Sequence, residues 1–415
     1  MNKKTITTLL LILGSFLMQH QMNAFPLPLT ADFPSIIAQS KMNQNLITAN
    51  TQFGFKLLQT LMQEEEQQNI FISPTSIAYA LAMAYNGANG ETQQEIATAL
   101  GLQAMSLAEI NSAFQLWQEN LANIDPKVQL DLANSLWLRE GFSFLPQFLE
   151  NNESFYNAQI ETLDFTNPDS PRIINGWVKE NTGGKIEEIV DNLHPDDVLF
   201  LINAIYFQGS WTQEFNQELT VEKPFYLADG GTKQLPMMSQ EGYFSYYENE
   251  QFQAVSLPYG AGRLSMYIFL PREDSNLATF LGELTAENWE QWLAEFTQQK
   301  GSVTIPRFQL EYDITLNSVL QSLGLERMFD SEKADFSNMT PNPVYVNQIK
   351  HKTFVEVNEE GTEAAAVTSI GIRAMSALPT EESFHIIVDR PFFFAIRDHQ
   401  TGTVLFMGSL IEPKE

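Results

Sequence analysis

The sequence predicts an α+β fold held in a single large domain. Three observations carry that reading. Helical periodicity fills the first third of the chain, strand patterns dominate from Val198 onward, and no repeat, low-complexity block or Gly/Ser linker interrupts the sequence after the first few dozen residues. Helices first and strands later favour α+β over an alternating α/β order. The domain so defined, 46–415, is about 370 residues long, above the usual range for one core.

Taken in order, residues 1–24 read as a signal peptide. Lys3 and Lys4 form a positive start, Ile6 to Met18 is an apolar run short for a membrane span, and Met22-Asn23-Ala24 offers a cleavage point after Ala24. Residues 25–45, with Pro26, Pro28 and Pro34, read as a short lead-in. Phe53, Leu57, Leu58, Leu61 and Met62 then fall on one helical face. Ser73-Pro74 is a helix start, with Ser as cap and Pro at the first helical position. The helix from Ile77 through Tyr85 is apolar all round and is expected to be buried on every side. Thr92 and Glu95 are spaced as a capping box, and Gly101 can end that helix. Pro171 to Val190 reads as an amphipathic helix and exit turn, with Ile173, Ile174, Trp177 and Val178 on its inner face.

Val198 to Phe207 is a nearly unbroken apolar run, the pattern of a central strand covered on both faces, interrupted only by Asn203. Arg263 to Leu270, Val303 to Leu310, Thr353 to Val357, Phe384 to Val388, Pro391 to Ile396 and Thr403 to Met407 are shorter strand candidates.

Composition excludes several functions. With no cysteine there are no disulfides, thiol nucleophiles or cysteine-based metal sites, and no cysteine to lipidate. A formal charge of −28 argues against a nucleic-acid binder and against adhesion to anionic lipid or heparin. No G-x-S-x-G elbow, H-E-x-x-H, Walker loop or G-x-G-x-x-G is present, so no catalytic residue, metal or cofactor is expected. A triad assembled from distant segments is defined by geometry and leaves no local sign.

The informative segment is Glu359 to Leu378, EEGTEAAAVTSIGIRAMSAL. Ala and Glu suit a helix, but Gly361, Gly371 and the β-branched residues around them weaken that reading. As a strand it separates cleanly. Thr362, Ala364, Ala366, Thr368, Ile370 and Ile372 make a small-then-apolar face; Glu363, Ala365, Val367, Ser369, Gly371 and Arg373 make a mixed one. No proline falls between Gly361 and Ala377, so every residue there can donate to a ladder. The segment is suited to be an exposed loop in one state and a central strand in another.

Ordered motifs along nearly the whole chain, from about Asn50 to Pro413, resemble those of the serpin family. They run from Asn69-Ile70-Phe71-Ile72-Ser73-Pro74-Thr75-Ser76-Ile77 and Gly87-Ala88-Asn89-Gly90-Glu91-Thr92 to Asn175-Gly176-Trp177-Val178 with Thr182-Gly183-Gly184-Lys185-Ile186. They continue through Leu201-Ile202-Asn203-Ala204-Ile205-Tyr206-Phe207 with Gly209-Ser210-Trp211, Ile305-Pro306-Arg307-Phe308 and Leu323-Gly324. They end with Glu359-Glu360-Gly361-Thr362-Glu363-Ala364-Ala365-Ala366, Arg390-Pro391-Phe392 and Leu405-Phe406-Met407-Gly408.

The resemblance implies a large central sheet, two smaller sheets, about nine helices and an exposed reactive-centre loop. It implies a suicide-substrate inhibitor of the antitrypsin-like, inhibitory type, whose cleaved loop inserts into the central sheet and carries the acylated protease with it. Carried onto this chain, Glu359 and Gly361, Thr362, Glu363, Ala364, Ala365 and Ala366 match the hinge. Non-inhibitory members often place a bulky or charged residue at the Thr362 position. The family's spacing from Glu359 puts the scissile bond at Met375-Ser376, which suits elastase-, chymotrypsin- or subtilisin-like serine proteases; Arg373 as bait would suit a trypsin-like one, and Ala374 and Leu378 stand as secondary sites. Ser73, Ser76, Asn203 and His351 match the shutter beneath the opening strands; Trp211 and Arg307 match the breach, Arg307 as ion-pair partner of Glu359. His351 and Trp211 read equally as plain core residues. The implied partners are serine proteases, with some cysteine proteases beside them, met by a secreted monomer in the extracellular space or periplasm. No Lys or Arg lies between Lys56 and Lys127, so the basic helix of heparin-activated members is missing and no heparin-type cofactor is expected.

Overall fold

The computed structural model describes residues 33–65, 67–122, 124–362 and 383–413, with side chains from residue 44 onward. Residues 1–41 and 42–415 are two compact units; of the first, only the backbone from Phe33 is described. The first half of the chain forms α1 (Phe33–Glu64), β1 (Ile70–Ile72), α2 (Pro74–Tyr85), α3 (Gly90–Ala99), α4 (Leu107–Leu121), β2 (Val128–Arg139), α5 (Pro146–Tyr156), β3 (Gln159–Leu163), α6 (Ser170–Asn181) and β4 (Leu199–Ser210). There follow β5 (Val221–Tyr226), β6 (Thr232–Glu248), β7 (Phe252–Tyr259), β8 (Leu264–Pro271), α7 (Leu277–Glu283), α8 (Ala286–Ala294), β9 (Thr297–Pro306), β10 (Phe308–Thr315) and α9 (Asn317–Ser322). The chain ends with β11 (Lys350–Val357), β12 (Gly361–Thr362), β13 (Phe384–Ile387), β14 (Phe392–Asp398) and β15 (Val404–Leu410).

The fold is α+β, with a large sheet in the order β10-β11-β12-β4-β2-β3. The remaining strands follow the path β1-β15-β14-β8-β7-β6-β9-β13, with β5 on β6. The two smaller sheets expected are joined into this one nine-stranded path through the 17-residue β6, which pairs with β5 and β9 along most of its length and with β7 at its end. Helix α2 lies between the two systems. Its Ser76 reaches Asn203 on β4, and its Thr75 hydroxyl donates to Val404 O on β15 at 3.0 Å. That position explains why the helix is apolar on all sides: eleven of its residues are buried.

β4 is covered on both faces, as its apolar run predicts. Ile202 joins a cluster with Ile174 and Val178 of α6, while Ile205 and Phe207 join the main core. Ile173, expected inside, is 50% exposed; only Ile174 and Val178 lie deep. The helical reading of the first third missed β2, which pairs antiparallel with β4 from Val128↔Gly209 to Leu138↔Leu199. Its alternating sequence, VQLDLANSLWLR, is a strand pattern.

Other expectations shift for identifiable reasons. α1 begins inside the segment read as a lead-in, and Pro34 sits in its first turn, where a missing N–H costs nothing. Thr92 and Glu95 do not cap α3, which starts after Asn89. The Thr92 hydroxyl instead accepts from Asp335 N–H at 3.0 Å, and the Glu95 carboxylate accepts from Arg327 N–H at 2.8 Å. The strand expected over Val303 to Leu310 breaks at Arg307, where the chain leaves β9 in one sheet and enters β10 in the other. Among the described residues no helix is long and apolar enough to cross a membrane.

Candidate functional site

At the top of the large sheet β12 stands between β4 and β11, and among the described residues these two do not pair with each other directly. Gly361 opposes Ser210 and Thr362 opposes Gly209 on one side; Thr362 opposes Val357 on the other. The turn into β12 is built by Asn358. Its side-chain oxygen accepts from the N–H groups of Glu360 at 3.0 Å and Gly361 at 3.2 Å, and its own N–H donates to Gly361 O at 2.9 Å. Gly361 has φ +152°, and a Cβ there would lie 2.2 Å from Gly209 O, so only glycine fits.

Trp211 anchors this turn from the β4 side. It is buried, stacks on Tyr259 at 4.4 Å between ring centroids, and donates Nε1–H to Asn358 O at 3.0 Å. Its backbone N–H donates to Glu360 O at 2.9 Å, and Phe215 N–H donates to Glu359 O at 2.8 Å. Thr362 is buried, with its hydroxyl 2.8 Å from that of Tyr259. Glu359 is 2% exposed and receives the Arg307 guanidinium and the Thr220 hydroxyl, the latter at 2.6 Å. Burial alone raises its pKa, but the hydrogen bonds from Arg307 and Thr220 outweigh burial and hold the carboxyl below its ordinary range.

Lower in the sheet the structure gathers Ser73, Ser76, Asn203 and His351. Ser73 N–H donates to His351 Nε2 at 3.1 Å, and Ser73 Oγ donates to Leu405 O at 2.7 Å while accepting Ser76 N–H at 3.1 Å. Ser76 Oγ donates to Asn203 Oδ1, and Asn203 Nδ2 donates to Asn134 Oδ1, its register partner on β2. His351 is buried, and burial pushes its imidazole down to about 3, in keeping with a neutral ring whose Nε2 accepts. Buried polar groups require such partners.

Sequence reasoning missed Asn134, Thr220, Tyr259 and Asn358. Asn134 leaves a trace, an amide on the buried face of an alternating strand. Tyr259 and Thr220 leave none, because each is an ordinary strand or loop residue until the fold brings Thr362 and Glu359 to it. The hinge residues Glu363, Ala364, Ala365 and Ala366, and the bond Met375-Ser376 with its neighbours Arg373, Ala374 and Leu378, lie outside the described residues.

The family model described as Serpin (serine protease inhibitor) matches residues 48–413. A mouse (Mus musculus) protein named leukocyte elastase inhibitor A is 38% identical over 383 residues, covering 89% of this chain and all of that relative. The human (Homo sapiens) leukocyte elastase inhibitor is 37% identical, with the same coverage. Among solved structures, the thermophilic serpin tengpin in its native state matches with a TM-score of 0.81 at 31% identity, over 88% of this chain and 94% of that one. Human thyroxine-binding globulin complexed with its hormone matches with a TM-score of 0.82 at 26% identity, over 90% of this chain and 100% of that one.

Proposed function

The chain belongs to the serpin family, a family of protease inhibitors and not of enzymes, and from that premise we propose that it is an inhibitory member acting on serine endopeptidases of the elastase, chymotrypsin or subtilisin type. The protease serine attacks the Met375 carbonyl and becomes acylated. The freed segment extends β12 downward between β4 and β11, and the protease is carried away from its starting position before it can deacylate. Each added residue completes ladder hydrogen bonds on two sides and buries alternate side chains, so insertion runs downhill.

The observation that supports this reading best is β12 itself. Gly361-Thr362 already occupies one ladder position between β4 and β11, and Thr362 is small enough to be buried there. The residues that follow on its face, Ala364 and Ala366, are smaller still. Glu359 and Arg307 fix the hinge at its base, and the Ser73, Ser76, Asn203 and His351 cluster acts as the shutter that β4 and β11 must pass. We place the protein outside the cytoplasm, exported by the leader 1–24, as a monomer that needs no heparin-type cofactor; α4 carries no Lys or Arg.

Incubation with pancreatic elastase, chymotrypsin, subtilisin and trypsin, followed by a denaturing gel, tests the proposal. An inhibitor gives an SDS-stable complex and a released peptide beginning at Ser376. Clean cleavage with no complex for every protease would falsify it and favour a carrier that kept the fold. A complex with trypsin alone, cleaved after Arg373, would move the bait by two residues.

A further inference from the structure

A buried polar circuit connects the Asn203 cluster to the far end of α2. It starts at Ser76 in the first turn of α2 and crosses to Asn203 on β4 and Asn134 on β2. Asn134 Nδ2 donates to the carbonyl of Tyr156, the last residue of α5, at 2.6 Å. The Tyr156 hydroxyl donates to Asn111 Oδ1 on α4 at 2.8 Å, and Asn111 exchanges reciprocal amide hydrogen bonds with Asn86 at 2.8 and 2.9 Å. Asn86 caps the C-terminus of α2, the helix on which the circuit began. Ten residues separate Ser76 from Asn86, a rise of about 15 Å along one helix. The paired strands β2 and β4 are therefore tied to α2 at both of its ends.

Two features make Tyr156 the pivot of the circuit. Its backbone oxygen faces the sheet and its hydroxyl faces the helices, so it joins the two halves, beside a second link from α5 in which Asn151 Nδ2 donates to Asn86 Oδ1 at 3.0 Å. Its ring is wedged against Tyr79 and Phe114, and the next residue, Asn157, is the one non-glycine among the described residues with positive φ, +48°. That left-handed turn aims the α5 terminus at Asn134. Burial pushes the Tyr156 phenol far up, so it remains a donor at any physiological pH.

We infer that Tyr156 is a positioning residue for sheet opening: through Asn134 and Asn111 it ties β2 and β4 to α2, and so sets how readily the two strands slide away from β11 to admit a new strand. The inference rests on the insertion reading above. Low-dielectric networks of this kind gain from being complete, and removing one donor is felt along the rest.

The test is uptake of a synthetic peptide with the sequence of residues 361–374 by the full-length protein, followed by native gel and by the accompanying rise in thermal stability. Tyr156→Phe keeps the ring and the backbone carbonyl and removes only the hydroxyl. Losing one buried hydrogen bond from the closed state predicts uptake about fivefold faster. Asn111→Ser, which breaks the same link from the other side, should accelerate uptake similarly. Trp289→Phe, a core change on α8 away from the circuit, controls for general loss of stability and should leave uptake at the wild-type rate. Wild-type uptake in both circuit variants, equal acceleration in the control, or a wild-type protein that takes up no peptide overturns the inference. A protein that takes up peptide with the expected ranking but forms no protease complex upholds the inference and overturns the inhibitory function.

Discussion

Thr362→Arg places the largest stress on the smallest part of the site. The threonine is 2% exposed, with β4 on one side and β11 on the other, and its hydroxyl is bonded to that of Tyr259. Arginine there loses that bond, worth about 1 kcal/mol. It also has to place a guanidinium among Tyr259, Trp211 and the β4 backbone. The nearby carboxylate, Glu359, is already held by Arg307 and Thr220. Burying a charge without a partner costs several kcal/mol, so the arginine drives β12 out from between β4 and β11, and seating that first residue again adds about 3–5 kcal/mol to the insertion barrier. At 1.36 kcal/mol per tenfold in rate, even the lower figure slows insertion by about a hundredfold. The acyl bond then hydrolyses before the loop is seated, and the inhibitor becomes a substrate. The assay is titration of elastase with each protein: wild type should reach complete inhibition near equimolar ratio, and Thr362→Arg should be consumed in large excess while releasing the same cleaved fragment. Thr362→Val isolates the lost hydroxyl and should shift the ratio by less than about tenfold. Unchanged stoichiometry in Thr362→Arg would refute insertion at this position.

Four further outcomes follow from the same geometry. His351 is neutral in the fold, with its pKa pushed to about 3 against 6.5 when unfolded. Its contribution to stability is therefore complete above pH 6.5 and is lost as pH falls toward 3, with a slope of about 1.4 kcal/mol per pH unit; His351→Gln should remove that slope from denaturation midpoints measured between pH 6 and 4. Glu359 has a lowered pKa, so its ion pair supports the fold above the ordinary carboxylate value of 4.5 and fades as pH falls through the lower native value. The gap in melting temperature between wild type and Arg307→Ala should accordingly narrow on acidification, and a constant gap would mean that the pair is not the cause. Met375→Arg should transfer complex formation from elastase to trypsin, read on the same denaturing gel. Heparin should leave the association rate unchanged within error, and a rate that rises with heparin would contradict the reading of α4, which carries no Lys or Arg, as unable to bind it.

Much of this architecture was legible in the sequence, and what was not has physical causes. The all-round apolarity of α2 and the long run of β4 announced burial because both are sandwiched, so no solvent face dilutes the signal. β2 hid because Asn134 interrupts the apolar face of its alternation, a buried amide whose partner Asn203 lies on β4. The capping reading of Thr92 failed because a tertiary partner, Asp335, takes its hydroxyl. At the site, Glu359, Gly361 and Thr362 could be found by alternation and by resemblance. Tyr259 and Thr220 could not, since nothing local marks a residue whose role is to meet a segment more than a hundred positions away.

Gly361 has a consequence for phase. The backbone of Gly209 presses against it so closely that no residue with a Cβ can take its place, and the chain that follows starts from a fixed tooth. Sheet side chains alternate with a period of two, so in the proposed insertion a slip of one position would exchange the two faces of the sequence that follows, Ala364, Ala366 and Thr368 on one and Glu363 and Ala365 on the other. A shift of one in either direction would bring Thr362 or Glu360 to the place opposite Ser210 where a Cβ meets the Gly209 carbonyl, and both carry one. The two glycines thus work like the first engaged tooth of a zip fastener. Whatever length of chain follows, its alignment is decided before the second residue is seated.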